Sequence, residues 1–165
     1  MRLCPWADVV YGCDGPWWRA RKGLPDFAGI KLAHDSSVCA AFKDVHKIEV
    51  ADDDRLRFDV PGLVGSGGNS GFQALNLAVQ FGARRVLLIG FDMHVGDGVH
   101  WYGRNTWSGA NNPGMKHLMR WRDAFTTQAA KLQRMGVEVI NASPDSALRC
   151  FEIASIETAM QRWSL

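Results

Sequence analysis

The sequence predicts an α/β fold built on a mostly parallel, doubly wound sheet with helices on both faces. Three observations predict it. Short apolar runs of strand length alternate with amphipathic stretches of helical period. The segment Arg84 to Asp92 passes through Val86-Leu87-Leu88-Ile89, the kind of continuous apolar run that a central parallel strand shows. Links between the helical and strand segments are short and centred on Gly82 and Gly136. Together these describe a three-layer, Rossmann-like arrangement. At 165 residues it is expected as one domain, 1–165, large enough for a core of its own.

The elements follow in order. Ala7 to Cys13 reads as a short buried strand closed by Asp14-Gly15-Pro16, and Pro16 suits the first turn of a short helix stopped by Gly23. Lys31 to Ala33 and Lys47 to Ala51 are expected as strands, with weak periodicity between them. Gly65 to Gly71 (GSGGNSG) is a loop in which Asn69 or Ser70 caps the following helix, Phe72 to Phe81. That helix is apolar around most of its circumference, but Gln73, Asn76 and Gln80 keep one polar stripe. After the strand ending at Asp92 comes a long loop, Met93 to Pro113, rich in Gly, Asn, His and Trp. Pro113 opens an amphipathic helix with Leu118, Phe125, Ala129 and Leu132 near one face. Val137 to Ile140 is a further strand, and a helix from about Ile153 to Trp163 follows.

Composition bounds the function. An apolar share of 47% and a charged share of 22% exclude a disordered chain. A net charge of +2 argues against a dedicated nucleic-acid partner. Lys116, Arg120, Arg122, Lys131 and Arg134 crowd one segment, where the plain reading is a solvated helix face. Cys4, Cys13, Cys39 and Cys150 show no C-x-x-C pair and no zinc spacing, as for reduced thiols in a cytoplasmic protein. No apolar run reaches membrane-span length, so no membrane partner is expected. The seven tryptophans and apolar helices are compatible with a homodimer.

The chemistry centres on the glycine-rich loop. A helix N-terminus offers unpaired N–H groups, and glycines let a phosphate approach the backbone. Gly65, Ser66, Gly67, Gly68, Asn69 and Ser70 are therefore candidate ligand-binding residues, though no Gly-Lys-Ser/Thr follows to make a P-loop. Asp14, Asp92 and Asn141 each end a strand, and in a parallel sheet all three emerge on one edge, where open α/β sheets bind ligands. Asp14 and Asn141 join the binding set; Asp92, His100 and His117 are the candidate catalytic groups, with imidazole suited to proton transfer near neutrality. No metal set is expected, since Asp92-x-His94 lacks a third ligand, and a nucleotide would enter as substrate rather than as resident cofactor. Asp92 also lies about twenty residues beyond the loop, the spacing of a dinucleotide enzyme's ribose-binding acid. Against an NAD-type site, the preceding RFDVPGLV contains Pro61 and makes a poor central strand, and the glycines miss G-x-G-x-x-G by one position.

The run NSGFQALNLAVQFGARRVLLIGFDMH, then HWYG and VEVINASPDSALRCF, with WADVVYGCDGPWW before them, resembles a family of phage and prophage proteins. More remotely, the glycine/serine loop, helix, strand and G-F-D pattern is similar to Rossmann-like bacterial sialyltransferases and to the domain family that contains an archaeal hydroxymethylpterin pyrophosphokinase. That resemblance implies a metal-independent, glycosyltransferase-like protein. Gly67 to Ser70 would touch a cytidine nucleotide, and His100 or His117 would serve as general base. Such relatives begin with an extra strand and a G-x-G-P-S loop, whereas this chain opens with Arg2-Leu3-Cys4-Pro5-Trp6. The expectation is a shortened start or a member lacking part of the nucleotide site. The alternatives are a non-catalytic nucleotide- or partner-binding module and a dinucleotide binder.

Overall fold

The computed structural model describes residues 4–95, 103–106, 108–109 and 112–164. The chain is of the α/β class, and every strand pairing within it is parallel.

The first half is built from β1 (Val9–Gly12), α1 (Gly15–Ala20), β2 (Ile30–Ala33), α2 (Ser36–Ala41) and β3 (Val45–Lys47). Strands β1, β2 and β3 pair in that order, with Val9 opposite Ile30 and Lys31 opposite Val45. Their core is Val10, Trp18, Leu24, Phe27, Ala33, Val38 and Val45. Helix α2 has no counterpart in the expected elements. Its six residues carry too little periodicity to announce it; Asp35 starts it by accepting the Ser37 and Val38 N–H groups.

Ile48 alone separates β3 from β4 (Glu49–Ala51), and β4 pairs with β5 (Leu63–Gly65). The Ile48 N–H still donates to Ala33 on the β2 side, while the Glu49 N–H donates to Gly62 on the β5 side. One extended segment thus passes from the pairing with β2 to the pairing with β5. The crossover 52–62 contains no helix and is held instead by side chains of the helix beyond β5.

That helix is α3 (Ser70–Gln80), followed by β6 (Arg85–Leu88), α4 (Met115–Arg134), β7 (Glu138–Asn141), β8 (Glu152–Ile153) and α5 (Ile156–Trp163). Strands β6, β7 and β8 pair in order. Leu75, Val79, Leu88, Phe125, Leu132 and Val139 form their core with Phe72. Helices α3 and α4 end alike. After α3, the Gly82 N–H reaches the Val79 carbonyl and the Ala83 N–H reaches Ala78; after α4, Gly136 reaches Gln133 and Val137 reaches Leu132. Both are Schellman ends, and Gly82 and Gly136 supply the positive φ they need, +97° and +70°.

Three sequence expectations change in detail. Pro61 does not prevent a strand before the glycine loop, because β5 starts two residues later, at Leu63. Strand β6 is shorter than its apolar run: it stops at Leu88, and Ile89 is 62% exposed rather than covered. The two-residue β8 went unanticipated; α5 begins at Ile156, not near Ile153. Among the described residues no helix is long and apolar enough to cross a membrane.

Candidate functional site

The glycine loop lies between β5 and α3 and is held from beneath by the polar stripe of α3. Asn76, fully buried, accepts from the Arg57 N–H at 2.9 Å and the Gly65 N–H at 3.3 Å, and donates to the Arg57 carbonyl. Gln73, also buried, donates to the Ser66 carbonyl at 2.8 Å and accepts from the Tyr11 hydroxyl at 2.7 Å. Gln80 donates to the Arg57 and Leu63 carbonyls and accepts from the Gly62 N–H. Three amides at helical spacing thus satisfy the backbone of β5 and of the helix-free crossover, groups that would otherwise be buried unpaired.

Within the loop, Asn69 is the cap: its side chain accepts the Phe72 N–H at 2.9 Å and donates to the Gly67 carbonyl at 3.0 Å. Helix geometry leaves the Ser70 and Gly71 N–H groups without intrahelical acceptors, aimed out of the α3 N-terminus. Gly67 and Gly68 are both left-handed, with φ of +55° and +71°. A Cβ on Gly67 would lie 2.1 Å from the Phe72 ring, and one on Gly68 would lie 1.9 Å from the Arg120 guanidinium. Both positions favour glycine for conformation, and Gly67 also for space, since the Phe72 ring cannot withdraw as the Arg120 side chain can.

Four other elements converge on the loop. From β1, the Tyr11 hydroxyl reaches Gln73 beneath the loop, and the Cys13 thiol just past the strand is half-buried beside Asp14. Burial, reinforced by the Asp14 charge, pushes that thiol up to about 11, and burial likewise raises the Tyr11 phenol. From beyond β6, the Phe91 ring stands 2.8 Å from where a Gly71 Cβ would be. From the crossover, the Asp54 carboxylate accepts both oxygens' worth of hydrogen bonds from Arg120, at 3.0 and 3.3 Å. From α4, Arg120 and Trp121 lie directly over Gly68.

Of the sequence-derived set, Gly65, Ser66, Gly67, Gly68, Asn69 and Ser70 form the loop itself, and Asp14 is exposed two residues past the end of β1. Asp92 is exposed, and its carbonyl accepts the Ala147 N–H. Asn141 is fully buried instead of facing a ligand edge. Its Oδ1 accepts the Ser143 N–H at 3.1 Å, bracing the turn after β7, and its Nδ2 has no hydrogen-bond partner among the described residues. Ser143 and Ser146 bond the backbone of Phe91, tying the ends of β6 and β7 together. His117 is exposed near the start of α4; its Nδ1 accepts the Gly114 N–H at 3.3 Å. That bond ties the ring to the first turn of α4. His100 lies outside the described residues, as do Asp97, Trp101, Tyr102 and Trp107. Among the described residues no group of three metal-ligating side chains occurs.

Sequence reasoning missed Arg120, Trp121 and Asp54. Arg120 sat in a basic segment whose plain reading is solvent exposure, and Asp54 in an acidic turn. Their pairing spans sixty-six positions of chain, so no local pattern carries it. No family model, no curated protein and no solved structure matches this chain.

Proposed function

We propose that this protein binds a nucleotide or nucleotide-sugar through the loop Gly65 to Gly71, on a doubly wound, three-layer Rossmann-like domain. In this reading it is a phage- or prophage-type, glycosyltransferase-like protein. The observation that supports it is the Arg120 guanidinium packed on Gly68, beside the open first turn of α3. A fixed cation next to aligned backbone donors is the arrangement that accepts a phosphate. Asp54 holds that cation in place, and a phosphate would take over its donors. Trp121, adjoining Gly68, offers a ring face for a base or sugar.

Catalysis on this reading requires a base for the acceptor hydroxyl. His117, whose Nδ1 caps α4, and His100 are the imidazole candidates, with Asp92 as an exposed carboxylate. The NAD-type alternative gains from β5, which supplies the strand the loop needs before it. A purely binding module is the remaining reading. A thermal-shift screen against CMP, CMP-sialic acid, UDP-sugars, GTP, ATP and NAD separates them. A ligand that binds only the native state raises stability by about 2.7 kcal/mol at a hundredfold excess over its Kd. Selective stabilisation by cytidine or uridine compounds is expected. Stabilisation by NAD alone points to the dinucleotide reading, and none with any nucleotide removes the proposal.

A further inference from the structure

On the crossover, Asp53 and Asp54 each hold an arginine of a different region. Asp54 holds Arg120 over the glycine loop, while Asp53 holds Arg57 at 2.6 Å. Arg57 belongs to a separate open depression of about 510 Å³, lined by Arg55, Leu56, Arg57, Phe58, Asp59, Lys131 and Met135. No residue of the nucleotide reading lines it.

The chemistry of its walls is uneven. Arg55, Arg57 and Lys131 bring three cations, against Asp53 behind Arg57 and the exposed Asp59 at the rim. Lys131 spends one N–H on the Leu56 carbonyl at 2.6 Å and sits 5.0 Å above the Phe58 ring, so its other donors are not committed to that bond. Arg55 is 78% exposed at the side chain and only 4.0 Å from Asp53 at its nearest, too far for a hydrogen bond. The Arg57 Nε is buried and has no hydrogen-bond partner among the described residues, although a buried guanidinium N–H left unpaired is costly. Beside these donors Phe58 is half-buried, and Met135 is 36% exposed. Cations with spare donors next to a ring and a thioether describe a wall for a small molecule with one charged end and one flat apolar part.

We propose that this depression is a second small-molecule site, taking an oxyanion (phosphate monoester or carboxylate) whose flat apolar body lies against Met135 and the edge of Phe58, the ring face being under Lys131. The anion bridges Arg55 and Lys131, with Arg57 behind it.

The test follows the Met135 methyl by NMR in methyl-labelled protein titrated with phenyl phosphate and with inorganic phosphate. Phenyl phosphate is expected to shift that methyl at the lower concentration. Arg55→Gln, which removes only an exposed side chain, is expected to weaken the response by at least about fivefold. The double variant Arg55→Gln/Lys131→Met is expected to abolish it, and Arg120→Gln to leave it intact. An unmoved Met135 methyl, an equal response to both probes, a response that survives Arg55→Gln unchanged, or one lost with Arg120→Gln would each overturn the proposal.

Discussion

Helices α3 and α4 both carry polar side chains at helical spacing, and they use them in opposite ways. On α3 the line Gln73, Asn76, Gln80 faces inward and supplies hydrogen bonds to backbone that no helix or sheet partner serves. On α4 the basic residues stay at the surface, yet Arg120 and Lys131 reach across to the crossover, one to the Asp54 carboxylate and the other to the Leu56 carbonyl. A polar stripe on a helix is therefore not by itself a solvent-facing stripe. What decides is whether the neighbouring chain has unpaired backbone to satisfy. Amides, which both donate and accept, suit the buried line, whereas cations can stay half in water and still direct a fixed charge at a ligand.

The largest expected effect is at the centre of the buried line. Asn76→Leu keeps the branching of the side chain but takes the acceptor from the Arg57 and Gly65 amides and crowds a fully buried site, and should cost about 3 kcal/mol in urea unfolding. A cost below about 1 kcal/mol would mean that water or relaxed backbone replaces the amide. Gln73→Ala should cost about 2 kcal/mol, because it frees the Tyr11 hydroxyl and the Ser66 carbonyl.

On the exposed line the expectation reverses. Arg120→Gln breaks a half-exposed ion pair and should change stability by less than about 1 kcal/mol. Nucleotide affinity in the same variant should nevertheless fall by about tenfold, as for loss of a charge-assisted contact to phosphate. If stability falls as far as in Asn76→Leu while affinity holds, the two helices do not differ in the way described.

The smallest effect concerns Cys13. Its ordinary thiol value is 9.0, and burial raises it to about 11 in the folded chain. Between those values the unfolded chain has released a proton that the folded chain keeps. The stability contributed by the neutral thiol is therefore complete below pH 9 and is lost as pH rises through about 11. Alkylation of Cys13 in the native protein should stay slow at pH 9 and rise with a midpoint near 11. A midpoint near 9 would place the thiol in water rather than half-buried.

The fold was legible where local chemistry marks it. Asn69 before α3, Gly82 and Gly136 after α3 and α4, and Pro16 in α1 all act as their residue types direct. The short α2 and β8 were not, because six and two residues give no period to detect. The apolar run through Ile89 overstated β6, since an exposed isoleucine and a buried one look alike in sequence. The loop half of the candidate site was visible as a cluster of glycines ahead of a capped helix. Its charged half was not, because Arg120 and Asp54 meet only through tertiary packing, and Asn141 looked like a ligand-edge residue although it is used to brace its own turn.

The measurement that tests the central claim most directly is an amide NMR titration of the labelled protein with CMP and UDP, repeated in Arg120→Gln. The account expects the Gly67, Gly68, Asn69 and Ser70 amides to shift most, and the same shifts to need about tenfold more ligand in the variant. Shifts that bypass those four amides, or that are indifferent to Arg120, would contradict it.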